Sequence, residues 1–257
     1  MLDRRGSPDG RSLDPWPPAD PLGATLHLLR MSGAFYCRSD LSAPWGLTLP
    51  PMPRYIWFHV LAEGLAWLEA GAGDGAWLRP GELALVPHGE GHTLRSEPET
   101  PAPPILELPL ERVSDRYELL RHGGGGAPTL LVCGAVRFDH PSARSLVAML
   151  PPVVRIDHSV APRPDFLQST LALMAAEARE LRPGGEAVMT RLADILVVQA
   201  IRSWLETDPG ARTGWLAALR DPQVGRALAL VHRDPARAWT VAELAREVAM
   251  SRSAFAA

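Results

Sequence analysis

Gly81-Glu-Leu-Ala-Leu-Val-Pro87-His-Gly89-Glu-Gly-His92 is the stretch whose reading decides the fold. Leu83 to Val86 is a short apolar run of the length expected for a buried strand. Pro87 and Gly89 interrupt it at once and make a turn. His92 then stands on the next strand. Outward from this unit the same rhythm holds from Gly33 to about Phe138. Short apolar runs (Tyr55 to Leu61, Leu65 to Leu68, Leu130 to Cys133) alternate with glycine and proline signals, which indicates an all-β sandwich or barrel. Gly71-Ala-Gly-Asp-Gly75 predicts a tight hairpin connection, and His122 to Pro128 predicts a loop.

After Pro141 the period becomes helical. Asp165 to Leu181 places Phe166, Leu167, Leu171, Met174 and Ala178 near 3.6-residue spacing, and Pro183-Gly184-Gly185 ends it. Glu186 to Leu205 places Met189, Leu192, Ile195, Leu196, Gln199 and Trp204 on one broad face. Together they predict a helical hairpin too apolar to remain solvated. Asp221-Pro222 predicts the start of another helix, running through Val224, Leu228 and Val231 and stopping before Asp234-Pro235. Thr240 and Glu243 form a capping-box pattern, Ala249-Met250 a turn, and Ser251 the cap of a helix carrying Arg252, Ser253 and Phe255. Helix, short turn, helix is the unit whose second helix enters the DNA major groove.

The chain has 257 residues, 46% hydrophobic and 21% charged, which is ordinary globular composition. Its formal net charge of -3 excludes a polyanion binder as a whole. From Arg212 onward, however, seven arginines face four acids, about +3, which leaves about -6 for the rest and fits a basic tail facing nucleic acid. Two cysteines, Cys37 and Cys133, do not make a disulfide framework and point to a reducing, cytoplasmic setting. Residues 1–20 read as a flexible tail with no apolar core of a signal peptide, and Leu22 to Leu29 as a short helix. The longest apolar stretch, around Ile195 to Ile201, falls well short of the ~20 residues of a membrane span.

The opening stretch matches Gly-x5-Pro-x-Gly-x2-His at every fixed position and resembles the second cupin motif, while Glu63-Gly64 resembles the end of the first. The resemblance implies an N-terminal jelly-roll-like β-barrel. Counting back from Gly64 puts the usual metal-binding glutamate at Trp57 and the two usual histidines at Pro50 and Met52, none of which binds a metal. His59 shares the strand parity of Trp57, so a rearranged site from His59, His92 and Cys133, joined by His88 or His140, would be N/S ligation suited to zinc or another divalent metal. The same residues also fit a metal-free interior of hydrogen-bonded histidines and a small buried thiol. Trp45, Trp57, Trp67 and Trp77 suit either core or the lining of a site for an apolar or aromatic effector, with Trp57, His59, Trp67 and His92 as the candidate effector-binding residues.

Val241, Leu244, Ala245, Met250, Ser251, Ser253 and Phe255 resemble the first helix-turn-helix of the AraC family of transcriptional regulators. The resemblance extends from Pro21 to Ala257 through Ser42-Ala-Pro-Trp-Gly46, Phe58-His-Val-Leu61, Val132-Cys-Gly134, Arg191 to Gln199 and Trp215 to Pro222. It implies an effector-sensing cupin domain (21–160), a helical dimerisation segment (161–210), a linker (211–220) and a partial all-α helix-turn-helix domain (221–257). Leu244, Ala245, Met250 and Phe255 would be core, and Thr240, Ser251, Arg252 and Ser253 would face promoter DNA. Members carry two such units, so the expectation is a DNA-binding domain cut short after the start of its first recognition helix. The function expected is ligand-responsive regulation by a homodimer formed through 165–205, with no membrane contact. The alternatives are a truncated cupin sensor or dimerisation protein without specific DNA binding, and a metal-dependent cupin enzyme. No catalytic residues are expected, since no nucleophile-base arrangement or phosphate-binding loop is present.

Overall fold

The computed structural model describes residues 31–71, 75–138, 147–156, 166–180, 182–208, 221–234 and 236–256. The tail at 1–20, the helix expected at Leu22 to Leu29, His140, the linker 211–220 and the tip of the 71–75 hairpin lie outside them. The chain divides into a larger unit, 28–211, and a smaller one that includes 212–257.

The larger unit is built from strands β1 (Met31–Ser42), β2 (Gly46–Leu49), β3 (Tyr55–Glu63), β4 (Ala66–Ala70), β5 (Ala76–Leu78), β6 (Leu83–Val86), β7 (His92–Arg95), β8 (Leu110–Arg112), β9 (Tyr117–Gly123), β10 (Pro128–Phe138) and β11 (Val154–Ile156). They form two sheets, in the orders β11-β6-β3-β10-β1-β9-β8 and β2-β7-β4-β5, rather than one closed barrel. Trp45, Leu47, Trp57, Leu61, Leu68, Val86, Leu94 and Cys133 share the core that the sheets enclose.

β3 is an almost unbroken buried run because both its faces are covered: Trp57 and Leu61 enter the core, while the other face lies beneath a helix. β4 shows the complementary pattern. Ala66, Leu68 and Ala70 point inward, and Trp67 and Glu69 point out. At the turn after β6, Gly89 has φ +65°, and a Cβ there would lie 2.1 Å from the Met52 carbonyl oxygen. Only glycine fits both conditions, so the spacing read from the sequence has a steric cause. β11 was not foreseen: Val154 and Ile156 alternate with Arg155 over only three residues, too short a pattern to stand out.

Helices α1 (Phe166–Glu180) and α2 (Gly185–Thr207) form the expected hairpin, with Gly184 at φ 82° starting α2. Leu171, Met174 and Ala175 of α1 are buried. In α2 the buried stripe is Met189, Ala193, Leu196, Val197, Ala200, Ile201, Trp204 and Leu205. It differs from the expected face in three places: Ile195 is exposed, and Leu192 and Gln199 are half-buried. Ala193 and Ala200 take the inner positions instead, and small residues let backbones approach closely.

In the smaller unit, α3 (Pro222–Arg233) is capped by the Asp221 carboxylate, which accepts from the Gln223 and Val224 amides at 2.8 and 2.9 Å. Helix α4 (Val241–Glu247) and helix α5 (Arg252–Ala256) follow.

Candidate functional site

Two places bring the predicted residues together. The first lies inside the larger unit. His59 on β3 stands in register with Cys133 on β10, which stands in register with Cys37 on β1. Period-two alternation therefore aims all three side chains into the core. His92, opening β7 of the facing sheet, reaches across to them.

The contacts make a directed chain. His92 Nδ1 donates to the Glu90 carbonyl at 3.2 Å, which leaves its Nε2 an acceptor. His59 Nε2 donates to that atom at 2.7 Å, which leaves His59 Nδ1 an acceptor for the Cys133 thiol at 3.1 Å. Every group in this assignment is neutral. Burial agrees with it: desolvation lowers His92 to about 4 and drives His59 well below its usual value, helped by repulsion from His92. The same burial pushes the Cys133 thiol well up, so it is not a thiolate nucleophile. Trp57 stacks parallel to His59 at 6.4 Å and meets His92 edge-on at 5.7 Å, and its indole N–H is buried without a partner.

This arrangement differs from the ligand set expected for zinc. His59 meets Cys133 and His92 with opposite ring nitrogens, whose lone-pair directions diverge, so one ion cannot take all three. Among the described residues no group of three or more histidine, cysteine or acidic side chains is placed to hold a metal ion. His88 is not part of the cluster; its Nε2 contacts the Leu150 carbonyl at 2.9 Å. Trp67 is not part of it either. It lies on the outer face of the smaller sheet, edge-on to Trp77 at 5.4 Å, because alternation in β4 gives the inward positions to its neighbours.

The second place is the helix-turn-helix. The Thr240 hydroxyl accepts from the Glu243 amide at 3.2 Å, and the Glu243 carboxylate accepts from the Thr240 amide at 2.9 Å, a complete capping box. Ala245 and Val248 are buried beneath the turn. Ala249 takes φ 58°, the left-handed conformation that ends a helix, and the Met250 amide returns to the Ala245 carbonyl at 2.8 Å. Gln223 ties α3 to this turn through the Val248 carbonyl at 2.8 Å. The Ser251 hydroxyl then accepts from the Ala254 amide at 3.1 Å and starts α5. Ser251, Arg252 and Ser253 are exposed. Thr240 is exposed too, but the capping box occupies its hydroxyl. The sequence reading missed Arg237, whose guanidinium sits 3.8 Å from the Trp239 ring centroid and 3.4 Å from Glu243. No sequence spacing flags a stacked cation in a loop.

A cupin domain family matches residues 20–206, so the larger unit is a cupin domain. An AraC-like transcription regulator of Streptomyces lividans is 33% identical over 239 residues, which is 93% of this chain and 77% of that protein. The RCS-specific HTH-type transcriptional activator RclR of Escherichia coli is 28% identical over 85% of this chain and 66% of its own length. A crystal structure of ToxT from Vibrio cholerae aligns at TM-score 0.35 and 11% identity, over 87% of this chain and 72% of that one. The chain belongs to the AraC-like transcription regulators that carry an N-terminal cupin domain. No helix among the described residues is long and apolar enough to cross a membrane.

Proposed function

We propose that the protein is a ligand-responsive regulator that binds promoter DNA through the helix-turn-helix at 240–256 and reads a small-molecule effector with its cupin domain. The observation that carries this reading is the geometry of α4, turn and α5. A capping box, a left-handed turn residue and a buried Ala245-Val248 floor hold the second helix with Arg252 exposed. An exposed arginine at the start of a recognition helix is the commonest reader of guanine edges, and serines 251 and 253 suit phosphate oxygens.

Effector reading within the cupin core is supported by Trp57, His59 and His92, which meet there with one indole N–H unsatisfied. Homodimerisation through 165–205 is supported by exposed apolar side chains on the hairpin. Leu173 is 59% exposed, and Val188 and Ile195, seven residues apart on one helix face, are 46% and 38% exposed. A catalytic role has less support: the cluster's histidines are held neutral and its thiol is not activated. Regulation then works by population shift, an effector favouring one arrangement of the hairpin and the DNA-binding unit over another.

A reporter library of upstream genomic fragments, read with and without the protein, tests this reading. At least one fragment is expected to change transcription severalfold with the protein and to lose that response with Arg252→Ala. A library in which no fragment responds would overturn it.

A further inference from the structure

A cavity of about 310 Å³ lies outside the cupin core, between the edge of the larger sheet and the turn of the α1–α2 hairpin. Val113, Pro183 and Met189 give it an apolar wall, and Tyr117 of β9 forms part of that wall. Tyr117 is only 5% exposed, and its hydroxyl is buried with no hydrogen-bond partner. Buried hydroxyls without partners are rare in native proteins, and such an orphan beside a cavity marks the place of a missing polar group.

The charges around it are not balanced. Among the described lining residues Glu177 and Glu186 stand against Arg182, while Arg38 acts on the Tyr117 hydroxyl from outside the lining. Arg182 already pairs with Glu180. Glu186 accepts from the Ser114 hydroxyl at 2.5 Å, which ties the sheet edge to the first turn of α2 and meets the positive end of that helix. Burial raises the Tyr117 phenol to about 12, so the hydroxyl stays neutral and both donates and accepts. Beyond burial, the Arg38 charge lowers the same group, and Cys37, Asp40 and, least, Glu177 raise it.

We propose that this cavity is a binding site for a small amphiphilic amine. The apolar body of the ligand would lie against Val113, Pro183 and Met189, and its ammonium group would meet the Tyr117 hydroxyl and the Glu177 carboxylate. The cavity volume stands at the low end of small-molecule sites, which restricts the ligand to one ring or a short chain. The site touches both β8–β9 and the hairpin turn, so occupancy would act directly on the segment proposed above to dimerise. That consequence rests on the regulatory reading; the binding chemistry does not.

Calorimetric titration of the full chain with 2-phenylethylamine, 2-phenylethanol and 3-phenylpropionate tests it. The amine is expected to bind saturably, the alcohol more weakly and the acid not at all. Tyr117→Phe and Glu177→Gln should each weaken the amine about tenfold, the worth of one hydrogen bond to a charged group. Thermal unfolding of Tyr117→Phe without ligand should be unchanged, because its hydroxyl has no partner to lose, and a merely structural role would move it. Val113→Trp should fill the cavity and remove binding. Absence of saturable amine binding, a preference for the acid, or equal binding by both charge and hydroxyl variants would overturn the proposal. Duplex-DNA binding measured on the same preparation separates the two ideas: its absence would count against the regulatory reading and leave the cavity result standing.

Discussion

Mild acid should destabilise the cupin unit, and the buried histidine pair sets the window. His92 is 3% exposed and His59 fully buried, and their hydrogen-bonded chain works only with both imidazoles neutral. Burial holds His92 at about 4, against about 6.5 for an imidazole in the unfolded chain. Between those values the unfolded chain binds a proton that the native state refuses. Stability is therefore full above about pH 6.5 and falls as pH drops toward 4. A gap of about 2.5 units corresponds to about 3 kcal/mol from His92, lost at up to ~1.4 kcal/mol per pH unit. His59, also displaced downward, adds loss in the same direction. Asp194, raised by burial, works in the opposite direction. Urea unfolding followed by tryptophan fluorescence reports the core through Trp45 and Trp57, at pH 7.5, 6.5, 5.5 and 4.5. The midpoint should hold between the first two and fall steadily after, and His92→Gln should flatten the fall while lowering the midpoint at pH 7.5. A wild-type midpoint unchanged down to pH 5, or a His92→Gln curve as steep as the wild type, would refute the reasoning.

Gly89→Ala should lower Tm by about 5 °C or more, since the new Cβ would meet the Met52 carbonyl from a left-handed backbone; differential scanning calorimetry checks it. Thr240→Ala should cost about 1 kcal/mol of local helix stability by removing the capping box, seen as faster amide hydrogen exchange across 241–247 with no change in the cupin unit. Val188→Asp combined with Ile195→Asp should convert a dimer to a monomer in light scattering, because both exposed side chains lie on one face of α2. A dimer that survives both charges would place the interface elsewhere.

Much of this architecture was legible because it follows from local constraints. The turn between β6 and β7 needs glycine at 89 for steric reasons, so the spacing from Gly81 to His92 carries the strand-turn-strand unit in plain view. The capping box at Thr240 and the proline after Asp221 are likewise local, and both helices start where those residues put them. What escaped depends on chain segments far apart. Two sheets and one closed barrel share the same strand pattern, and only the pairing separates them. Inward parity gathered His59, His92 and Cys133 correctly, but their mutual orientation rests on which ring nitrogen faces which strand. Trp67 was read as lining, although the small residues at 66 and 70 and Leu68 take the inner positions of β4. The apolar face of α2 is broader than what the hairpin covers, so Ile195 on that face stays exposed. The cavity beside Tyr117 left no trace in the sequence, since its walls come from β8–β9 and the α1–α2 turn.

The most direct test of the central claim is an equilibrium mobility-shift titration of the protein at about 0.15 M salt, comparing its best-responding upstream fragment with a scrambled duplex of equal length, where non-specific phosphate contacts are weak. The account predicts that the fragment binds at least about a hundredfold more tightly than the scrambled duplex and that Arg252→Ala removes most of that difference. Equal affinity for the two duplexes, or a preference untouched by Arg252→Ala, would contradict it.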